Sequence, residues 1–254
     1  MTWNVNNTDA RQYLSCCKRA ATDDNFFYIF KRDPWYRKIL EHVSFEDGKK
    51  YLDSTNIDYI HKLEEIKQND QIGSPFTFDY SKVGTISPTT LRYLKNTSDI
   101  INKFGTNLKS IVEIGGGYGG LCKVLSSFVE FENYLIVDLE EANLLSKKYL
   151  NHFDLPTQSY CSDEIVSIEE NFDLLISNYA FSECEREVQF EYIEKFLKKS
   201  NRFYMLYNDL GPNNIHHEEF IGLLSDEYDI EFYFEHDDKT ESKVIYGEKI
   251  NGNI

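Results

Sequence analysis

The apolar and polar positions divide the chain into two unlike stretches. From about residue 106 onward, short apolar runs alternate with periods of helical spacing, whereas residues 1 to about 70 contain almost no strand pattern. Ile111, Val112 and Ile114 form the first apolar run. Leu121, Val124, Leu125, Phe128 and Val129 then recur at i, i+3, i+4, i+7 and i+8, which is one apolar face of a helix. Between them stand Gly115, Gly116, Gly117, Gly119 and Gly120, so the spacing predicts a buried strand, a tight glycine turn and the start of a helix. Residues 134–138, 157–161, 173–177 and 202–207 predict four further buried strands, with helices carried by Leu144, Leu145, Tyr149 and Leu150, by Val188, Tyr192, Ile193, Phe196 and Leu197, and by Phe220, Ile221, Leu223 and Leu224. Residues 229–236 alternate apolar and polar, and 243–248 read as the hairpin partner of that strand. The expectation is an α/β sheet of five parallel strands closed by a C-terminal antiparallel hairpin.

The first 105 residues read as a helical extension. Asp9 is a plausible N-cap for a helix with Tyr13, Leu14 and Cys17, Pro34 starts a second through Tyr36, Ile39, Leu40 and Val43, and Ile57, Ile60, Leu63 and Ile66 suggest a third. Residues 72–90 hold Pro75, Gly84 and Pro88 with Phe76, Phe78 and Tyr80, which predicts a long ordered loop beside the site. Ser87 then caps a helix with Leu91, Leu94, Ile100, Ile101 and Phe104 that ends at Gly105. The domain expectation is a cap and covering loop over 1–105 and a ligand-binding domain over 106–254.

A strand feeding a helix through a glycine turn is a ligand cradle, because the helix start offers free N–H groups and a partial positive charge. Gly115, Gly117 and Gly120 fit the dinucleotide pattern G-x-G-x-x-G. Glu113, Gly115, Gly117 and Gly119 equally fit the E-x-G-x-G-x-G of class I S-adenosylmethionine-dependent methyltransferases. Glu113 discriminates between them. A carboxylate at the strand end repels a pyrophosphate but suits the cationic amino group and sulfonium of adenosylmethionine. Asp138 ends the second strand about 20 residues beyond the turn, where an acid meets ribose hydroxyls.

Composition narrows the partners. The net charge of −16 argues against nucleic acid as the main partner. Cys16, Cys17, Cys122, Cys161 and Cys184 contain no C-x-x-C pair, so neither a disulfide framework nor a zinc site is expected and a reducing cytoplasm is the simplest home. No leader and no membrane span are expected from the N-terminus or from any apolar run.

The stretch 111–121, Asp138-Leu139 opening a helix, and Ser177-Asn178-Tyr179-Ala180-Phe181-Ser182-Glu183 followed by Arg186-Glu187-Val188-Gln189 resemble bacterial sugar O-methyltransferases, as does the upstream segment 84–93. The resemblance covers roughly residues 30–250. It implies a Rossmann-like class I methyltransferase fold, S-adenosylmethionine as cofactor with S-adenosylhomocysteine as product, and a sugar hydroxyl as acceptor, carried by a nucleotide-activated sugar of capsule or lipopolysaccharide synthesis. An N- or O-methyltransferase of another substrate class, an NAD-linked oxidoreductase and a non-catalytic cofactor-binding module are the alternatives.

The cofactor is then expected at Glu113, Gly115, Gly117, Tyr118, Gly119, Asp138, Leu139, Ser162, Asp163, Ser177 and Asn178, with Asp163 near the adenine amine. Tyr80, Thr90, Arg92 and Tyr179 are the expected acceptor contacts. A sugar hydroxyl needs a general base, for which His217, His216 and Glu183 on strand-exit loops are the candidates. Neighbouring residues on a helix point about 100° apart, so His216 and His217 do not readily share a metal ion and none is expected. The aromatic N-terminal helices could also cover a partner subunit in a homo-oligomer.

Overall fold

The computed structural model describes residues 8–161, 170–209, 213–235 and 242–250. The chain opens with α1 (Thr8–Thr22), α2 (Asp24–Phe27) and α3 (Pro34–Ile39). Asp33 caps α3 by accepting from the amides of Trp35 and Tyr36, with Pro34 in the first turn where its missing N–H costs nothing. Next come α4 (Phe45–Ser54), α5 (Leu63–Lys67), the short antiparallel pair β1 (Phe78–Tyr80) and β2 (Gly84–Ile86), and the long α6 (Pro88–Phe104). Ser87 caps α6 through the Thr90 amide, and Gly105 ends it at φ +75°.

Three of these findings differ from the sequence expectation. Helix α4 was not foreseen, the third amphipathic segment forms only a single 3₁₀ turn followed by the five residues of α5, and the 72–90 loop contains the β1–β2 pair. Ser44 explains α4: as N-cap its hydroxyl accepts from the Asp47 amide at 3.1 Å and donates to the Asp47 carboxylate at 2.6 Å.

The second half alternates as the apolar runs predict: β3 (Ser110–Ile114), α7 (Gly120–Leu125), β4 (Asn133–Asp138), α8 (Glu140–Asn151), β5 (Thr157–Cys161), β6 (Leu174–Asn178), α9 (Ala180–Glu183), α10 (Arg186–Lys195), β7 (Arg202–Asn208), α11 (His217–Leu224), β8 (Tyr228–Phe234) and β9 (Ser242–Lys249). The sheet order is β5-β4-β3-β6-β7-β9-β8, with the first five strands parallel and β9 and β8 antiparallel. Strand order reverses between β3 and β6, the place where open α/β sheets bind ligands beyond the strands' carboxyl ends. Ile114 lies beside Val137 and Ser177, so Gly115, Asp138 and Asn178 leave the sheet together.

Strand alternation sends side chains to two cores. Ile111, Tyr134, Ile136, Leu174, Ile176 and Tyr204 pack with the N-terminal helices, α7 and α8, while Val112, Ile114, Leu135, Leu175, Phe203 and Met205 pack with α10 and α11. Among the described residues no helix is long and apolar enough to cross a membrane.

Gly247 in β9 shows how tightly the second core is filled. A Cβ there would sit 2.0 Å from Cε1 of Phe203. Gly247→Ala should therefore destabilise the protein by about 1–3 kcal/mol through overpacking, read as a lower urea midpoint at unchanged m-value.

Candidate functional site

The turn after β3 is shaped by backbone that only glycine adopts freely. Gly115, Gly117 and Gly119 have φ of +77°, +56° and +89°. The Asp138 carboxylate holds the turn, accepting the Gly117 amide at 2.8 Å on one oxygen and the Leu139 amide at 2.7 Å on the other. Leu40, following α3, lies over the turn: a Cβ on Gly117 would stand 2.9 Å from its Cδ1. Glu113 is buried at 2% exposure and accepts from the Tyr134 hydroxyl at 2.8 Å. Burial pushes the Glu113 carboxyl up to about 7 against the opposing pull of that hydroxyl, and burial likewise pushes Asp138 up to about 6 against its two amide bonds.

These groups open into a cavity of about 510 Å³, of a size that holds a small ligand. Glu113, Gly115, Gly116, Gly117, Asp138 and Leu139 line one part of it, roofed by Tyr13, Ile39 and Leu40. The rest is lined by His42, Val43, Asp47, Lys50, Tyr51 and Arg92, by Asn178, Tyr179, Ala180 and Glu183 at the exit of β6, by Asn208 ending β7, and by Glu235 and Ser242 of the β8–β9 hairpin. Tyr179 has φ +67°, a strained conformation for an aromatic residue. Its amide bonds the Leu206 carbonyl at 2.8 Å and its hydroxyl donates to Glu235 at 2.7 Å, so both ends are tied down.

No protein-family model matches the chain, and no curated protein matches it. Among solved structures it is similar to magnesium protoporphyrin IX methyltransferase (ChlM) from Synechocystis PCC 6803 with bound SAM. The identity is 9% over 85% of this chain and 95% of that one, with a TM-score of 0.51. It is also similar to the N-methyltransferase NodS from Bradyrhizobium japonicum WM9, at 14% identity over 62% of this chain and 94% of that one, with a TM-score of 0.50. The fold is that of a class I methyltransferase. At these identities the likeness concerns the fold alone.

Of the expected site residues, the cavity brings together Glu113, Gly115, Gly117, Asp138, Leu139, Asn178, Arg92, Tyr179 and Glu183. Other expected positions are placed elsewhere. Tyr118 turns into the core, where its ring lies edge-on to Tyr149 at 4.9 Å, its hydroxyl meets Asn69, and the Lys31 ammonium stands 4.2 Å from its centroid. Gly119 serves as the left-handed N-cap of α7 against Leu150. Ser177 is fully buried, donating to the Ile114 carbonyl at 3.0 Å and accepting the Phe181 amide at 3.0 Å, so it staples β6 to β3 and α9.

Thr90 donates to Asp70 at 2.6 Å and accepts from Asn69, and Tyr80 donates to the Phe45 carbonyl at 3.2 Å. Both are structural partners of the cap and neither lines the cavity. Ser162 and Asp163 lie outside the described residues.

The two histidines are also corrected. His217 opens α11, and Asp209 accepts both its amide at 2.8 Å and its Nδ1 edge at 2.6 Å, while Lys243 bonds the same carboxylate at 2.8 Å. His216 is the exposed N-cap residue of α11. Neither lines the cavity. His217 anchors the helix start because its orphan amide meets an acid from the neighbouring strand exit there.

His42 is the histidine that lines the cavity. Desolvation, then the positive charge of Arg92, push its pKa below the ordinary histidine value, so the imidazole at this wall is neutral at pH 7. Asp47, Lys50 and Tyr51 were missed with it, although Asp47, Lys50, Tyr51 and Ser54 share one face at i, i+3, i+4 and i+7 after the Ser44 cap.

Removing the Tyr134 hydroxyl should expose how Glu113 is poised. Tyr134→Phe takes away the one stabiliser of the charged form and leaves the burial, so the Glu113 pKa should rise further above 7. Titration of its side-chain carboxyl by ¹³C NMR measures this, and a lower value would contradict the assignment.

Proposed function

We propose that this protein is an S-adenosylmethionine-dependent O-methyltransferase acting on a sugar hydroxyl. The observation that carries the reading is the pairing of two buried carboxylates, Glu113 and Asp138, with the Gly115–Gly117 backbone in one cavity wall. Glu113 beside the turn disfavours the pyrophosphate of NAD, and with Asp138 it favours a ligand with cationic and hydroxyl donors. Glu113 and Asp138 would hold those donors, and Leu139 would give the adjoining apolar surface. When bound, S-adenosylmethionine supplies an electrophilic methyl group.

The residues across the cavity support an oxygen acceptor. Asn178, Asn208, Glu183, Glu235 and Asp47 offer hydrogen-bond acceptors to sugar hydroxyls, and Lys50 and Arg92 offer donors. The neutral His42 imidazole would take the proton from the attacking hydroxyl, and aligning that hydroxyl accounts for several powers of ten in rate. Tyr13, Ile39 and Leu40 would pack over the cofactor and shield it from water on that side.

Calorimetric titration should show S-adenosylhomocysteine binding and no NAD binding. Its amino group is cationic, so it prefers the ionised carboxylates. Protons leave Glu113 near 7 and Asp138 near 6, so affinity should rise roughly tenfold as pH climbs from 6 to 8, with net proton release. Glu113→Ala and Asp138→Ala should each weaken binding at least about tenfold and flatten that profile. NAD binding, or wild-type affinity in both variants, would remove the reading.

For turnover, His42→Ala should lower kcat about a hundredfold or more with cofactor affinity intact. Survival of activity there, with loss in Glu183→Gln, would make the carboxylate the base instead.

A further inference from the structure

A second cavity of about 530 Å³ adjoins the acceptor half of the first, and the two share Lys50, Tyr51 and Glu235 as a common wall. The divider is tied together: the Glu235 carboxylate accepts from Tyr51 at 3.1 Å on one oxygen and from Tyr179 at 2.7 Å on the other. A polar line also crosses from one cavity to the other. Asn178 in the first accepts from the Asn96 amide at 3.4 Å, and Asn96 in the second accepts from the Tyr204 hydroxyl at 3.3 Å.

Both lysines around the second cavity are paired within the protein, and the Glu235 carboxylate, held by two tyrosine hydroxyls, leaves the wall with an excess of negative charge. Lys95 pairs with Asp99 at 2.6 Å, Asp53 with Lys82 at 3.3 Å and Lys50 with Asp47 at 3.5 Å. A nucleoside diphosphate placed there would bring its negative charge against Asp53, Asp99 and Glu235, with both lysines of the wall already paired. A neutral unit carries no such cost.

Donors and acceptors are interleaved along the wall: ammonium and hydroxyl groups on one hand, carboxylates and the Asn96 carbonyl on the other. A hydroxyl satisfies either kind because it both donates and accepts. Tyr51 and Leu206 add apolar surface.

We infer that the second cavity is the distal subsite of the acceptor, holding a neutral glycosyl unit linked to the sugar whose hydroxyl is methylated in the first. This rests on the methyltransferase reading above and makes the acceptor a glycan of at least two units, not a nucleotide-activated monosaccharide. Glu235 and Asn96 bridge the two units.

The test uses the whole protein saturated with S-adenosylhomocysteine, whose own affinity is measured first. It is then titrated with maltose, cellobiose and N,N′-diacetylchitobiose, with glucose and N-acetylglucosamine, and with UDP. The variant is Ser54→Trp, which fills the second cavity from an exposed position on α4. At least one disaccharide should bind at least tenfold more tightly than its monosaccharide. Ser54→Trp should erase that advantage while leaving the affinities for the monosaccharide and for S-adenosylhomocysteine as they are.

The subsite is overturned if no disaccharide shows the advantage, if the advantage survives Ser54→Trp, or if UDP is the probe that binds and is expelled by the variant. A protein that fails to bind S-adenosylhomocysteine removes the methyltransferase reading itself. One that binds it without distinguishing disaccharide from monosaccharide removes only the subsite.

Discussion

The Asp138 carboxylate accepts one amide from the turn after β3 and one from the turn after its own strand. Those amides would otherwise be donors without partners at a buried sheet edge, a cost of about 1–3 kcal/mol each. The acid loses solvation in exchange, which its elevated pKa records. Much follows from this exchange. The turn keeps its left-handed glycines, Leu40 packs against Gly117, and within the cap Arg92 of α6 donates to the Leu40 carbonyl at 3.3 Å. The cavity is the space left between turn, cap and strand exits.

Within that space the two halves differ in how they are built. Around Glu113 and Asp138 the polar groups are nearly enclosed and their ionisation is perturbed by burial, so they discriminate by charge. Across the cavity the polar groups come from helix faces and a hairpin and are partly open to solvent. They discriminate by the pattern of donors and acceptors. Under the proposed function the first half meets the cationic cofactor and the second the hydroxyls of the acceptor.

Much of this was legible before any coordinates. The apolar runs gave the five parallel strands and the hairpin because a buried parallel strand has few alternatives to Val, Ile, Leu and aromatic residues. Glu113, Gly115, Gly117 and Asp138 were legible because their chemistry is set by position relative to a strand end. Tyr118, Thr90 and Ser177 misled because nearness to a motif does not say which way a side chain points. Tyr118 follows a left-handed glycine and turns toward Asn69, a partner 49 positions earlier. His217 misled because its partner, Asp209, comes from another element. His42 stayed hidden because the periodicity carried the predicted helix on to Val43, whereas α3 ends at Ile39 and leaves His42 in the connection to α4. Helix α4 was readable from Ser44 and Asp47, but its apolar face is only two residues deep, Tyr51 and Leu52.

The contribution of α4 separates two kinds of constraint along the chain. Residues at the strand ends answer to backbone geometry and core packing at once, so replacing them disturbs the sheet. Asp47, Lys50 and Ser54 stand on a solvent-facing helix surface where most side chains are tolerated. Acceptor preference can therefore drift by substitution on one helical face while the cradle stays as it is. Under the proposed function, a mutational library confined to Lys50 and Ser54 would sample acceptor preference with little disturbance of the fold.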